Sequence, residues 1–358
     1  MNKQMSRRKE LLILILIGLV IAAVMAFIFI LLSHVEEAYD AVPEGAGLAL
    51  SRTSTDEVDA RLSETGVYDG NDSVETTTLY YNGQAYAYNE NLSTLLILGI
   101  DDPVLSETEN ARNTSQADLL LLAVFDPDTK KCTLLQLNRD TMSEVPALDV
   151  DGNYIGLATE QLALAHTYGN GLEKSCENTV YAVSHFLYGI GIDNYFALTM
   201  DAIPVLNDLV GGVTVTIEDD FSTVDPTLVM GETVTLDANN VEHYVRSRMN
   251  MVQDPTNINR MKRQRTYMLG LVDKLKEAVD QDSSFVLDAY SAISKSLVTD
   301  CSVDELSDYA DRFSDYSLDG IRTTEGEAVK GDEYIEFYVD ETALQELVIE
   351  TFYVPVES

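Results

Sequence analysis

The residues best suited to chemistry are concentrated in one short basic segment. Six of the 23 Lys and Arg residues lie between positions 246 and 265, although the formal net charge of the chain is −37. They are Arg246, Arg248, Arg260, Lys262, Arg263 and Arg265. A guanidinium group is planar, permanently charged and well matched to phosphate oxygens. Because Glu242 and Asp254 are the only acidic residues from 241 to 264, we expect the arginines to lack local partners and to bind an external anion.

A second set of polar residues lies at the ends of predicted strands. Near-continuous apolar runs at 95–100, 118–125 and 132–137 are typical of strands buried on both faces of a sheet. Asp101 and Asp102 follow the first run, Asp118 opens the second, and Arg139 follows the third. Loops at strand ends line the ligand crevice of open α/β sheets.

Carboxylates and arginines together suit pyrophosphate chemistry. Asp101 and Asp118 could share one divalent cation, and hard oxygen ligands favour Mg²⁺, which bridges phosphate oxygens. Guanidinium groups neutralise charge on the transferring and leaving phosphoryl groups. The sequence contains no P-loop, HExxH or GxSxG motif, so the common NTPase, zincin and serine-hydrolase interpretations have no motif to support them.

Strands and helices alternate along most of the chain, which predicts an α/β fold with a mixed central sheet sandwiched by helices. The segment 77–88 predicts a hairpin around Asn82-Gly83. Helices are predicted at 161–168, 173–188 and 202–209, from about Asp237, from about Ile258 and from Glu341. Further strands are predicted at 195–199 and 213–217, near Ile321 and at 334–339, and Gly211-Gly212 is interpreted as a tight turn.

The first 40 residues predict where the protein works. Residues 11–32 carry no charge, enough for a helix that spans the roughly 30 Å hydrocarbon core. Basic residues precede this run and acidic residues follow it, so we expect a single-pass anchor with a cytoplasmic amino terminus and an extracellular carboxyl-terminal domain. A cleavable signal peptide is the alternative. Binding of nucleic acid is disfavoured, because the exported part is strongly acidic.

The expected organisation follows from these patterns. A cytoplasmic tail at 1–10 and the anchor at 11–32 precede a stalk at 33–76, the hairpin at 77–92 and a catalytic domain at 93–275. Helices and strands at 276–353 complete that domain, and 354–358 form a tail. Cys132, Cys176 and Cys301 are widely spaced and are expected to be buried small hydrophobic residues.

Eight motifs, in order, resemble those of the LytR-CpsA-Psr family of bacterial wall proteins. They are Leu96-Ile97-Leu98-Gly99-Ile100-Asp101, Ala117-Asp118-Leu119-Leu120-Leu121, Asn138-Arg139-Asp140-Thr141, Ala165-His166-Thr167-Tyr168-Gly169, Gly191-Ile192-Asp193-Asn194-Tyr195, Leu209-Val210-Gly211-Gly212-Val213, Val245-Arg246-Ser247-Arg248 and Arg260-Met261-Lys262-Arg263-Gln264. The resemblance implies a phosphotransferase that moves an anionic glycopolymer from undecaprenyl pyrophosphate at the membrane to the C6 hydroxyl of N-acetylmuramic acid in peptidoglycan.

The resemblance also implies roles for individual residues. Asp101 and Asp118 would hold Mg²⁺ (or Mn²⁺) on the pyrophosphate. Phosphate binding would fall to the arginines of the motifs, with Gln264 completing the head-group site. Those arginines are Arg139, Arg246, Arg248, Arg260 and Arg263. Either Asp101 or Asp118 could act as the base for the muramyl hydroxyl, and a metal-lowered hydroxyl pKa could make a base unnecessary.

Some positions depart from the family pattern. Gln116 stands where the family often has arginine, and Asp102-Pro103 replaces a Ser-Arg pair. Arg112 lies close enough in sequence to substitute for the missing arginine. His166 replaces a tyrosine, and we interpret it as a packing or hydrogen-bonding residue.

Two other functions remain open at this point. The same site with water as nucleophile would be a lipid pyrophosphatase. A non-catalytic protein that binds polyprenyl phosphates or scaffolds wall assembly would keep the arginines, but it would tolerate loss of Asp101 and Asp118, and both are present.

Overall fold

The computed structural model describes residues 79–102, 112–247, 258–282, 285–302, 316–331 and 334–356. The predicted anchor and stalk, and Arg248, lie outside these residues. Within them, no helix combines the length and apolar character needed to cross a membrane.

Strands and helices alternate along the described chain. The strands are β1 (Leu79–Tyr81), β2 (Gln84–Tyr88), β3 (Ser93–Ile100), β4 (Ala117–Asp126), β5 (Lys131–Leu137), β6 (Met142–Leu148), β7 (Tyr154–Gln161), β8 (Asn194–Thr199), β9 (Thr214–Thr216), β10 (Thr233–Thr235), β11 (Leu297–Thr299), β12 (Ser317–Thr323), β13 (Gly326–Lys330), β14 (Ile335–Val339) and β15 (Tyr353–Pro355). The α-helices are α1 (Glu173–Phe186), α2 (Ala202–Leu209), α3 (Val241–Arg246), α4 (Ile258–Gln281), α5 (Phe285–Ile293) and α6 (Glu341–Phe352).

A six-stranded sheet in the order β11-β8-β3-β4-β5-β12 forms the centre of the fold. Strands β3, β4 and β5 are an antiparallel meander of almost wholly buried residues. Leu98 and Leu122 of this meander share one apolar core with Phe186 of α1 and Phe352 of α6. The predicted mixed α/β class and the three buried central strands are confirmed.

Local sequence signals account for most element boundaries. The β1–β2 hairpin turns at Asn82 and Gly83, whose φ angles of 49° and 78° suit the primed turns of tight hairpins. Asp340 begins α6 by accepting hydrogen bonds from the backbone N–H groups of Thr342 (2.9 Å) and Ala343 (3.0 Å).

Two predictions need correction, and one hairpin was missed. The segment predicted as a helix at 161–168 is a 3₁₀-helix, Leu162–Thr167, whose first two N–H groups donate outward to Thr141 O (2.8 Å) and Arg139 O (3.1 Å). The helix predicted from about Asp237 begins at Val241, because Asp237 instead accepts from the N–H of Asn239 in a turn. The β6–β7 hairpin was not predicted.

Contacts divide the described chain into two compact units. The sheet unit comprises residues up to 198, with 298–300 and 321–356, and the helical unit comprises 199–297 and 301–320. Asp101, Asp118, Arg139 and Arg112 belong to the sheet unit, whereas the basic segment belongs to the helical unit. The domain boundary predicted at 275 remains a prediction.

All three cysteines are buried and unpaired by disulfides, as expected from their spacing.

Candidate functional site

The sheet unit brings Asp101 and Asp118 to one edge of the central sheet. Strand β4 runs antiparallel to both β3 and β5, so the end of β3, the start of β4 and the end of β5 meet there. Gly99 pairs with Leu119 and Ile100 pairs with Ala117, so the register shifts by one residue at Asp118. Such β-bulges redirect a side chain and are frequent beside active sites.

Asp118 forms a buried ion pair with Arg139. Nη1 of Arg139 contacts Oδ1 of Asp118, and its Nη2 donates to Oε1 of Gln116. Nε of Arg139 lies 3.3 Å from Oδ1 of Asp140. Arg139 and Asp118 are each only 6% exposed, so removal of either partner would leave a buried charge without its counterion.

The turn that carries Arg139 is held by several segments. Within it, Thr141 N donates to Asn138 O (3.0 Å). Phe337 N of β14 donates to Asp140 O (2.9 Å), and Gln161 Nε2 donates to Asp140 Oδ1 (3.0 Å). Arg139 therefore projects from a fixed backbone, as an arginine that must meet a ligand in one geometry requires.

The structure gives Gln116 and Arg112 different surroundings. Gln116, at the position where arginine is common, accepts a hydrogen bond from Arg139. Arg112 is exposed and its guanidinium carbon lies 3.9 Å from the ring centroid of Tyr168, a cation–π distance. The proposed substitution of Arg112 for the missing arginine remains a prediction.

His166 belongs to a buried hydrogen-bond network beside Asp101. Ser115 Oγ donates to Asp102 Oδ2 (2.8 Å), and His166 Nδ1 lies 3.0 Å from Ser115 O. Because a carbonyl only accepts, Nδ1 carries the proton of a neutral ring. Nε2 of the ring lies 3.9 Å from Cys176 Sγ in the core. The contacts agree with a packing and hydrogen-bonding role for His166, whereas no sequence pattern indicated a role for Ser115.

A pH-dependent stability follows from this burial. Desolvation lowers the pKa of His166 from 6.5 to about 4. His166 therefore binds a proton more weakly in the folded protein than in the unfolded chain, where it is protonated below pH 6.5. Its effect on the free energy of unfolding is absent above that pH, and the free energy of unfolding falls as pH drops towards 4. The total decrease in the free energy of unfolding is about 3 kcal/mol, at 1.36 kcal/mol per pKa unit.

Urea denaturation between pH 4 and 7.5 measures this effect. In His166→Asn the amide can still donate to Ser115 O but cannot titrate. We expect the stability difference between wild type and variant to shrink by about 3 kcal/mol as pH falls through this window. A pH-independent difference would contradict it.

The helical unit positions the basic segment. Arg246 ends the short helix α3, and desolvation lowers the pKa of its guanidinium. Near the start of α4, Arg260, Arg263 and Gln264 are 4%, 5% and 6% exposed. Arg260 and Arg263 of the predicted cluster are thus buried, whereas Lys262 is exposed.

Two residues of this segment pair with carboxylates that lie outside 241–264, so they do not require an external anion. Arg263 pairs with Asp219, and Lys262 Nζ lies 2.7 Å from Glu218 Oε2. Both carboxylates come from the connection after β9. The Lys262 pair is exposed, as expected for ordinary surface charge.

The donor set at the sheet edge fits Mg²⁺. Asp101 and Asp118 offer oxygen ligands from adjacent strands, and Mg²⁺ in phosphate sites takes one or two carboxylates and completes its shell with water and phosphate. Among the described residues no group of three or more His, Cys, Asp or Glu side chains could hold a metal. A protein cage independent of phosphate is therefore not found in this part of the chain.

Comparisons with known proteins match this chain to one family. The model of the LytR_cpsA_psr family matches residues 58–351. A protein of Enterococcus faecalis named "Polyisoprenyl-teichoic acid--peptidoglycan teichoic acid transferase TagU" is 27% identical over 70% of this chain and 76% of its own length. A Bacillus licheniformis protein of the same name is 23% identical over 73% of this chain and 78% of its own.

Solved structures share the fold. One described as "TagT bound to LI-WTA" matches with a TM-score of 0.54 and 20% identity, over 73% of this chain and 90% of the other. At that identity the likeness shows the fold alone.

Proposed function

Because this chain belongs to the LytR_cpsA_psr family, we propose that it transfers an anionic glycopolymer from a polyprenyl pyrophosphate carrier to peptidoglycan. The observation that carries the proposal is the buried Asp118–Arg139 pair on a β-bulge, at the edge where Asp101 also lies. Two relatives named teichoic acid transferases support the same reaction class.

The reaction is a phosphoryl substitution. The C6 hydroxyl oxygen of N-acetylmuramic acid attacks the phosphorus that bears the glycan, and the bridging P–O bond of the pyrophosphate breaks. Polyprenyl phosphate leaves, the hydroxyl proton passes to a base or to water, and a phosphodiester joins glycan and peptidoglycan. Positioning and charge neutralisation supply most of the catalysis in such reactions.

The residues divide this work between binding and charge neutralisation. Arg139, held by Asp118 and Gln116, presents a fixed cation to the phosphates at the sheet edge. Arg246, Arg248 and Arg260 are proposed to bind the head group, with Gln264 and Arg112 at its margins. Asp101 and Asp118 would hold Mg²⁺ or Mn²⁺, which when bound supplies further neutralisation of phosphate charge.

The proposed location is the outer face of the cell membrane. It depends on residues 11–32 as a single anchor, with basic residues before them and acidic residues after. This topology would place the site beside both the lipid-linked donor and the peptidoglycan.

The test supplies a polyprenyl-pyrophosphate-linked saccharide to the full-length chain, with and without peptidoglycan fragments and Mg²⁺. Formation of a glycan–peptidoglycan phosphodiester with release of polyprenyl phosphate is expected only when acceptor is present. Equal release of polyprenyl phosphate without acceptor would instead identify a pyrophosphatase. Binding of the donor without release of either product would identify a non-catalytic lipid-binding protein.

A further inference from the structure

Arg263 is surrounded by acceptors from its own unit. Its Nε donates to Tyr244 O (2.8 Å), its Nη2 contacts Ser247 O, and its Nη1 pairs with Asp219. Phe221 covers the guanidinium, with the ring centroid 5.4 Å from the Arg263 carbon. All three guanidinium nitrogens are engaged by the end of α3 and by Asp219, and Phe221 covers one face, so Arg263 is committed to contacts within its own unit.

Two of these acceptors bracket Arg246. Helix α3 has only six residues, and so short a helix depends on tertiary contacts. The last carbonyls of a helix lack intrahelical donors, and a basic side chain can satisfy them. Arg263 does this from α4 by binding the carbonyls of Tyr244 and Ser247, two residues before and one residue after Arg246.

The connection after β9 also contacts Arg263 and α3. Asp219 holds the far end of Arg263, while the ring of Phe221 stacks on Tyr244 with centroids 6.0 Å apart. Further along, Asp225 Oδ2 lies 2.9 Å from His243 Nδ1 of α3. The acidic connection therefore contacts α3 directly as well as through Arg263.

The structure assigns Arg263 the role of a positioning residue: with Asp219, it fixes the carboxyl end of α3 and thereby the guanidinium of Arg246. This replaces the expectation that Arg263 binds phosphate itself. The assignment rests on the proposed function in so far as Arg246 binds the donor, and it extends that function to a specific pair that shapes the binding site.

The test is made in the full-length chain. It compares Arg263→Lys, Asp219→Asn and the double variant of the two with Arg246→Met and with Arg246→Met combined with Arg263→Lys. We expect each of the first two to lower kcat for transfer on the order of 10- to 100-fold, with a smaller change in KM for the donor, because displaced catalytic groups lose rate steeply. The double variant Arg263→Lys/Asp219→Asn should transfer glycan no more slowly than the less active of the two single variants. Adding Arg263→Lys to Arg246→Met should change transfer by less than about twofold, since coupled residues are non-additive.

The matched control is Lys262→Gln, which removes the neighbouring, exposed ion pair with Glu218 and should leave transfer unchanged. A second readout is the Nε–H NMR signal of Arg246, assigned from its loss in Arg246→Met. It should shift in Arg263→Lys and Asp219→Asn but not in Lys262→Gln.

The outcomes separate the possibilities. Additive losses with Arg246→Met, an unchanged Arg246 signal, or full transfer in Asp219→Asn would overturn the assignment; the last would favour direct phosphate binding by Arg263. If the wild type transfers no glycan, the proposed function fails, and the NMR comparison still decides whether Arg263 positions Arg246.

Discussion

Arg139→Ala is expected to lose about 3 to 5 kcal/mol of folding stability, because it leaves the buried Asp118 carboxylate without its counterion. We also expect transfer to fall by at least about 100-fold, the scale seen when one preorganised donor to a developing charge is removed. Both Asp118 and Gln116 lose their contact with the guanidinium in this variant. Urea denaturation and the transfer assay measure the two losses separately.

Asp118→Asn separates the catalytic loss from the structural one. Asparagine keeps an oxygen acceptor for Arg139 but loses the charge, and Asp140 remains 3.3 Å from Nε of Arg139. We expect a stability loss of about 1 to 2 kcal/mol, within the range for a weakened charged hydrogen bond. Transfer should still fall by about 100-fold or more if Asp118 acts on the pyrophosphate.

Arg322→Met is the matched control, because Arg322 pairs with Glu350 near the surface, where their side chains are 39% and 60% exposed. Its stability should change by less than about 1 kcal/mol and its transfer not at all. Full transfer in Asp118→Asn would remove Asp118 from the mechanism.

Helices and strands that are specified by short stretches of sequence were predicted from those stretches. Helix α2 occupies the residues expected from periodicity, α4 begins at Ile258 and α6 at Glu341, each as predicted. The apolar runs of β3, β4 and β5 likewise identified the buried sheet, and the polar residues at their ends were correctly expected to share one edge. These three strands are antiparallel, so the edge combines the end of β3, the start of β4 and the end of β5.

Features that depend on pairing between distant segments were not predicted. The bulge at Asp118 is a property of the register between two strands, which composition does not specify. Asp219 lies 44 positions before Arg263, so the sequence around Arg263 does not indicate that a carboxylate pairs with it. The β6–β7 hairpin was missed because its connection is a longer loop organised by Asp149, which accepts from the N–H groups of Asp151 and Asn153, rather than a two-residue turn.

Gly169→Ala is expected to be among the most destabilising single substitutions in the sheet unit. Gly169 has φ +130°, and a Cβ atom there would lie 2.6 Å from Ser175 N and 2.7 Å from Ser175 Oγ. Those atoms belong to the first turn of α1, whose later residues pack in the main core. Alanine must therefore push the helix away or distort the backbone.

The same contact connects to the site. Asn113 Nδ2 donates to Gly169 O (3.2 Å) and to Ser175 Oγ (3.0 Å), and Asn113 Oδ1 accepts from Ser115 N (2.8 Å). Displacement of α1 would thus loosen Ser115, which holds Asp102 beside Asp101. We expect Gly169→Ala to lower transfer as well as stability.

Gly156→Ala is the matched control for backbone strain. Gly156 has a similar φ of +123°, but nothing lies within 4 Å of a Cβ placed there. Strain alone should cost about 1 to 3 kcal/mol at both positions. We expect Gly169→Ala to lose at least about 2 kcal/mol more than Gly156→Ala in urea denaturation, since the clash with Ser175 adds to the strain. Equal losses would mean that α1 yields without cost, and that the close approach of Gly169 to Ser175 does not fix the position of the helix.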